Sequence, residues 1–177
     1  MSTPFPYRRI CIIGTSGTGK STLARDIAGK IGAERIELDA LFHGPNWKAV
    51  SDDVLAERVR GCMEAECWVV DGNYVNRAQH LERADLIIWL DYPFRIVLSR
   101  ILRRTLKRLL TKEELWNGNR ESLRMAFSRD SIILWVFQTY WKRRREFPVM
   151  LNSEQYRHIT HLRFRHPQEV TAWLARL

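Results

Sequence analysis

Cysteine and long apolar segments are both scarce in this sequence. Its three cysteines, Cys11, Cys62 and Cys67, are odd in number and lack a C-x-x-C spacing. They therefore support neither a disulfide framework nor a zinc site and indicate small buried hydrophobic side chains. No apolar run approaches the roughly 18 residues that a membrane-spanning helix needs. We find no repeat or low-complexity tract, and residues 1–7 are too short for a signal peptide. We therefore expect a cytoplasmic protein with no membrane partner.

Length and charge narrow the class further. The 177 residues, of which 45% are hydrophobic and 28% charged, predict one compact domain over residues 1–177 with a mobile appendage. The formal net charge is +9 and the pI is about 9.9. Such a charge favours anionic partners, which include nucleotides, phosphorylated metabolites and nucleic acid.

A glycine-rich stretch near the N-terminus carries the strongest functional signal. It fits G-x-x-x-x-G-K-[ST], follows an apolar run at residues 10–13 and precedes a helical pattern that Gly32 closes. Backbone amides of such a loop and of the following helix start bind polyphosphates. We expect Lys20 to reach the β- and γ-phosphates and Ser21 to complete the coordination of Mg²⁺. The predicted nucleotide-binding residues are Gly14, Thr15, Ser16, Gly17, Thr18, Gly19, Lys20, Ser21 and Thr22.

Apolar segments separated by helical patterns predict an α/β protein with a parallel sheet. The further strand predictions are residues 35–39, 66–72, 86–91 and 156–162, and the helix starts are Ser51, Pro93 and Pro167. The helix after Pro93 has two faces. We expect its leucine face to be buried, and that face comprises Leu98, Leu102, Leu106 and Leu109.

Three aspartates fall at the carboxyl ends of predicted strands, where ligands of open parallel sheets bind. Asp71, before Gly72 and Asn73, is the predicted partner of Ser21 in holding Mg²⁺. Asp39 is better placed to orient a second substrate. For Asp91, a turn or helix-cap role is favoured over a catalytic one.

Phosphoryl transfer requires positive charge around the transferring group. Arg100 and Arg104, one helical turn apart, are the first candidates to supply it. Further candidates are Arg103, Arg120, Arg124 and Arg129. In the following helical stretch, Trp135 and Trp141 fit either the core of a lid or a dimer contact, and core is the commoner outcome.

Three stretches resemble a known family. They are Leu38-Asp39-Ala40-Leu41-Phe42 with Asn46-Trp47, Val69-Val70-Asp71-Gly72-Asn73-Tyr74, and Trp116-Asn117-Gly118-Asn119-Arg120-Glu121-Ser122. Together with the glycine loop they resemble adenylate kinase and the nucleoside monophosphate kinases. More narrowly, they resemble a bacterial adenylate kinase-like branch labelled DNA topology modulation protein.

The resemblance implies a three-layer P-loop NTPase fold with a five-stranded sheet in the order 2-3-1-4-5 and a helical lid over about residues 111–147. It also implies ATP·Mg²⁺ at the glycine loop and lid-side arginines at Arg100, Arg104 and Arg120. The sequence departs from true adenylate kinases after Asp71-Gly72, where the nearest arginine is Arg77. It also offers His43, Trp47 and Lys48 where those enzymes place another arginine.

Two functional hypotheses follow. The first is an ATP-dependent kinase acting on a nucleotide or another small molecule, with Lys20, Asp39, Arg100, Arg104 and Arg120 as catalytic candidates. The second is a nucleotide-dependent DNA-binding or DNA topology regulatory protein, although no base-reading motif accompanies the basic residues. An ATPase that drives conformational change is a third possibility. The acceptor, the nucleobase preference and the oligomeric state stay open.

Overall fold

Five short segments form one parallel sheet in the computed structural model, which describes residues 5–74, 80–120 and 131–177. The strands are β1 (Arg9–Gly14), β2 (Glu34–Glu37), β3 (Trp68–Asp71), β4 (Leu86–Leu90) and β5 (Thr160–Phe164). Their order is β2-β3-β1-β4-β5, and every pair is parallel. This confirms the expected fold class and strand order.

Helices cover both faces of the sheet. The helices are α1 (Lys20–Ile31), α2 (Leu38–Phe42), α3 (Asp52–Cys62), α4 (Phe94–Thr111), α5 (Ile132–Leu151) and α6 (Pro167–Leu174). Short 3-10 turns occur at Pro45–Trp47, Leu81–Arg83 and Trp116–Gly118. None of the helices in the described ranges is long and apolar enough to cross a membrane.

Alternation along β1 divides the core into two layers, as a strand buried on both faces requires. Ile10 and Ile12 pack with α1, α4, α6 and the first half of α5. Cys11 and Ile13 pack with α3 and the last turns of α5. All three cysteines are free. Cys11 is fully buried, as expected, whereas Cys62 and Cys67 are only half-buried, so the expectation of buried cysteines was wrong for these two.

The strand register brings the chemically important ends together. Gly14 at the end of β1 pairs with Leu90, while Asp71 at the end of β3 pairs with Ile12 and Glu37. The glycine loop and the last residue of β3 therefore emerge side by side at the carboxyl edge of the sheet, where a ligand site is expected.

Some sequence-based boundaries were wrong. Strand β2 ends at Glu37, so Asp39 lies in the first turn of α2 rather than at a strand end. Strand β5 begins at Thr160, because hydrogen-bonded turns occupy residues 153–159. Ser51 caps α3 by accepting a hydrogen bond from the Val54 amide, and α6 begins at Pro167, as expected.

The prediction of which face of α4 is buried was also wrong. The structure buries Val97, Ile101 and Thr105, whereas Leu102 and Leu106 are 47% and 59% exposed. Helix α4 carries two apolar stripes, and the one with the smaller side chains faces inward because it must pack closely against the glycine loop. Part of the predicted lid over residues 111–147, namely residues 121–130 with the candidates Arg124 and Arg129, lies outside the described residues. Arg77 lies outside them as well.

Candidate functional site

The loop between β1 and α1 has a backbone that requires glycine. Gly19 is the residue before α1 and has a φ of 94°, and Gly17 has a φ of 87°. A Cβ at Gly17 would lie 2.6 Å from Ile101 Cγ1 on α4. The loop is closed by Thr18, whose Oγ1 and amide both donate to the Thr15 carbonyl, at 2.8 and 3.2 Å. The Lys20 and Ser21 amides therefore stand in the first turn of a helix, the usual place for a phosphate.

Two long-range contacts hold this loop in place. The Asn73 side chain accepts from the Gly14 amide at 3.0 Å and donates to the Gly14 carbonyl at 2.6 Å. On the other side, Arg100 Nη1 donates to the Thr18 carbonyl at 3.0 Å. The loop is thus braced from the end of β3 and from α4 before any ligand binds.

Lys20 has an unusual electrostatic environment. Its Nζ donates to the Thr15 carbonyl at 3.3 Å. Burial and the charge of Arg143 lower the pKa of Lys20 from 10.5 to about 8, with Arg104 acting in the same direction. The charges of Asp39 and Asp71 oppose this shift without cancelling it. An anion bound here would relieve the crowding of positive charge.

Asp71 and Ser21 form the predicted metal-binding pair. Asp71 is 4% exposed, and its carboxylate and the Ser21 side chain are hydrogen-bonded, which acts to lower its pKa. Burial dominates, however, and raises the pKa of Asp71 above 3.8. Its Oδ1 accepts no hydrogen bond from any residue in the described ranges, and Arg35 Nη2 lies 4.0 Å away. An unused carboxylate oxygen beside a serine hydroxyl suits a hard cation such as Mg²⁺.

Asp39 is a second carboxylate whose charge acts on Lys20. Tyr74 donates its hydroxyl to Asp39 Oδ1 at 2.8 Å, which orients the carboxylate. The charge of Asp39 raises the pKa values of Lys20 and Arg143, which places it in their field.

Arg143 was not identified from the sequence as a site residue. Burial lowers the pKa of Arg143 from its usual value, and the charges of Asp39 and Tyr74 oppose that shift. Its guanidinium lies over the Trp135 ring at 5.8 Å, and Nη1 has no hydrogen-bond partner among the described residues. Helical spacing places Arg143 on the face of the buried Tyr140 and Phe147, but it does not distinguish Arg143 from Arg144.

The other arginine predictions fall in three places. Arg100 contacts the glycine loop, and the charge of Arg104 acts on Lys20, so both lie beside the loop as expected. Arg103 is exposed on α4. Arg120 is 58% exposed at its side chain and donates to Glu114 at 3.2 Å. Its catalytic role, like that of the other candidates, stays a prediction.

Asp91 performs a structural role. Its carboxylate is 1% exposed and accepts from Arg144 Nε at 2.8 Å and from Arg163 Nε at 3.1 Å. These contacts join the end of β4 to α5 and β5. The ion pair of Asp91 with Arg144 fixes α5, and with it the neighbouring Arg143, relative to the sheet.

Trp135 and Trp141 are not core residues of a lid. They are 47% and 56% exposed, and Trp141 stacks on Phe94 with a centroid separation of 6.2 Å.

No group of three or more His, Cys, Asp or Glu side chains that could hold a metal occurs within residues 5–74, 80–120 and 131–177. A magnesium site completed by nucleotide phosphates needs only one or two protein carboxylates, so Asp71 with Ser21 is sufficient for that purpose. The residues present therefore fit a nucleotide with Mg²⁺.

These features combine a parallel α/β sheet with a glycine loop whose helix-start amides suit a phosphate. Residues 10–70, less than half of the chain, match the family model described as ATPase family associated with various cellular activities (AAA). No curated protein matches the sequence significantly.

Solved structures similar to this chain include two shikimate kinases. The enzyme from Bacteroides thetaiotaomicron has 15% sequence identity, a TM-score of 0.57 and coverage of 96% of both chains. The enzyme from Acinetobacter baumannii, solved in complex with shikimate, has 15% identity and a TM-score of 0.51, with 96% of this chain and 90% of that chain covered. At this identity the likeness shows a shared fold.

Proposed function

We propose that the protein is an ATP-dependent kinase that transfers the γ-phosphoryl group of ATP to a small acceptor. The observation that carries the proposal is that two separate carboxylates, Asp39 and Asp71, act on the charge of Lys20. Asp71 is paired with Ser21 and Asp39 with Tyr74, so one carboxylate suits the nucleotide and its metal and the other suits a second substrate.

On the nucleotide side, the glycine-loop amides and Lys20 bind the β- and γ-phosphates. Ser21 and Asp71 would hold Mg²⁺, which would neutralise charge on the phosphates. Arg100 keeps the loop in its binding conformation through the Thr18 carbonyl.

On the acceptor side, Tyr74 orients Asp39 so that the carboxylate accepts a hydrogen bond from an acceptor hydroxyl. The acceptor oxygen forms a bond to the γ-phosphorus, and the bond from that phosphorus to the bridging oxygen breaks. ADP leaves with the electron pair, and the acceptor proton passes to Asp39. Arg104 and Arg143 stabilise the negative charge during transfer.

The polar atoms left without partners support a ligand site here. Three buried atoms that have no hydrogen-bond partner within the described residues belong to side chains whose charges interact with Lys20 or Asp39: His43 Nδ1, Asp71 Oδ1 and Arg143 Nη1. Buried polar groups in folded proteins are normally satisfied, so a cluster of unsatisfied ones favours a bound polar molecule.

A coupled transfer assay tests the proposal. ATP·Mg²⁺ is incubated with nucleoside monophosphates, nucleosides, shikimate or gluconate, beside a sample without acceptor. We expect acceptor-dependent ADP formation that Lys20→Ala abolishes and that Lys30→Ala, in the exposed last turn of α1, leaves unchanged. Turnover that survives in Lys20→Ala would overturn the assignment.

A second pair of variants tests Arg143 separately from the glycine loop. Arg143→Gln should lower kcat by about 100-fold or more, as removal of a group that stabilises transition-state charge does. Arg145→Gln, on the exposed side of α5, is the matched control and should retain full activity. Equal rates for the two variants would remove Arg143 from the mechanism.

The net charge of +9 is the observation that favours the alternative function, DNA binding. Several basic side chains are used internally, because Arg100 binds the glycine loop and Arg144 and Arg163 bind Asp91. That use favours the kinase proposal. DNA binding by the remaining basic surface would weaken steeply between about 50 and 200 mM salt, whereas nucleotide binding to the loop would change far less.

A further inference from the structure

Two loops that are distant in sequence are hydrogen-bonded to one another beside the candidate site. We call residues 40–50, which follow Asp39, the acceptor-side loop, and residues 112–120, which follow α4, the lid-base loop. Asn119 of the lid-base loop is 4% exposed. Its Oδ1 accepts from the Trp47 amide at 2.8 Å, and its Nδ2 donates to the Gly44 carbonyl at 2.9 Å and to the Trp116 carbonyl at 2.8 Å.

Further contacts extend this junction. Asn117 Nδ2 donates to the carbonyls of His43 and Ala40. The His43 and Trp116 rings stack with a centroid separation of 6.1 Å, and Trp47 meets the Trp116 ring edge-on at 6.4 Å. The two loops thus share both polar and aromatic contacts.

The acceptor-side loop is strained at the point that Asn119 holds. Asn46 has a φ of 57° and Trp47 a φ of 59°. Asparagine tolerates this left-handed region, but for a bulky side chain such as tryptophan it is a genuine outlier. Such a conformation persists only where the surroundings over-determine it, and it is typical of ligand clamps and switch regions. The hydrogen bond from the Trp47 amide to Asn119 contributes to this constraint, together with the bonds between Gly44 and Lys48 and between Lys48 and Pro45 within the loop.

The junction connects the two sides of the candidate site. The acceptor-side loop is continuous with α2, which carries Asp39, and Phe42 of α2 packs against Tyr74 with ring centroids 4.8 Å apart. The lid-base loop is continuous with α4, which carries Arg100. A change at the glycine loop can therefore reach the acceptor side through a short, contiguous set of contacts.

We propose that Asn119 is a positioning residue that holds the acceptor-side loop in its strained conformation and couples it to the lid-base loop, so that nucleotide binding orders both loops together. The contacts themselves do not depend on the kinase proposal. One consequence rests on the proposed function: the lid-base loop controls the conformation of the loop that would bind the acceptor.

Hydrogen exchange of the full-length protein, followed by mass spectrometry, tests this without knowledge of the acceptor. Wild type, Asn119→Ala and Asn117→Ala are compared alone and with a non-hydrolysable ATP analogue and Mg²⁺. The matched control is Asn152→Ala, which removes a single side-chain bond to the Pro148 carbonyl after α5. Nucleotide affinity is measured in parallel by titration.

In Asn119→Ala we expect exchange about tenfold faster in both loops, since loss of a buried hydrogen bond changes a local opening equilibrium by about that factor. Strands β1 and β4 should be unaffected, Asn117→Ala should show a smaller effect of the same kind, and Asn152→Ala should show none in either loop. The nucleotide should protect both loops in wild type but only the lid-base loop in Asn119→Ala, with affinity changed less than about threefold.

Three results would overturn the proposal. The first is unchanged exchange of the acceptor-side loop in Asn119→Ala. The second is a uniform increase that includes the core strands, which would indicate a general loss of stability. The third is nucleotide protection of the acceptor-side loop that persists in Asn119→Ala. Because none of these readouts uses phosphoryl transfer, failure of the kinase proposal would be seen separately in the transfer assay.

Discussion

Replacing Lys20 by methionine should stabilise the protein in the absence of ligand, although it should abolish nucleotide turnover. The pKa of Lys20 is lowered from 10.5 to about 8, mainly by burial and by Arg143. A shift of that size corresponds to roughly 3 kcal/mol by which the folded state disfavours the lysine charge. Lys20 stays partly accessible to water and loses its hydrogen bond to Thr15 on substitution. We therefore expect a net gain of about 1–2 kcal/mol at pH 7.

Thermal and urea unfolding of wild type and Lys20→Met should show this gain, which corresponds to a rise in Tm of roughly 2–8 °C for a chain of this length. The pH dependence provides the internal control. The cost of the charge is fully present below pH 8, where Lys20 is protonated in both the folded and unfolded states. It disappears as the pH rises from 8 to 10.5, because the folded state then releases its proton first. A Lys20→Met variant that is no more stable than wild type at pH 7 would show that the Lys20 charge does not destabilise the folded state. A gain in the free energy of unfolding that does not shrink by pH 10 would show the same.

Three further substitutions probe other parts of the structure. His80 is 1% exposed and burial lowers its pKa to about 4, so stability should fall by up to about 3 kcal/mol as the pH drops from 6.5 to 4, and urea titrations of His80→Leu should show a weaker dependence. Asp71→Asn should reduce Mg²⁺-dependent turnover by about 10- to 100-fold with little change in Tm, whereas an unchanged Mg²⁺ dependence would exclude Asp71 from the metal site. Gly17→Ala should cost about 1–3 kcal/mol in urea unfolding, since its Cβ would clash with Ile101 at a positive φ, and a neutral effect would contradict the close approach of α4.

Local signals in the sequence were sufficient to predict β1, β4 and the glycine loop. Apolar runs identify β1 and β4 because these strands are buried on both faces. The glycine motif identifies the loop because its backbone angles at Gly17 and Gly19 restrict the residue type. The strand order, in contrast, came from the resemblance to a known family and was confirmed by the structure.

Features determined by docking between elements could not be predicted in the same way. Helix α4 has two apolar stripes, and its packing against Gly17 and the core layer on that face of the sheet buries Ile101 rather than Leu102. Arg143 belongs to a run of four basic residues at 142–145, and the orientation of α5 on the sheet decides which of them faces Lys20. The contact between Asn119 and Trp47 spans 72 residues and leaves no local pattern.

Phosphoryl transfer by this protein can be followed directly by ³¹P NMR of ATP with purified protein, Mg²⁺ and the acceptor that the coupled transfer assay identifies. A kinase should form one phosphorylated acceptor for each ADP, and both signals should be lost in Lys20→Ala. Inorganic phosphate formed at the same rate with and without every acceptor, or no consumption of ATP at all, would contradict the assignment of this protein as a kinase.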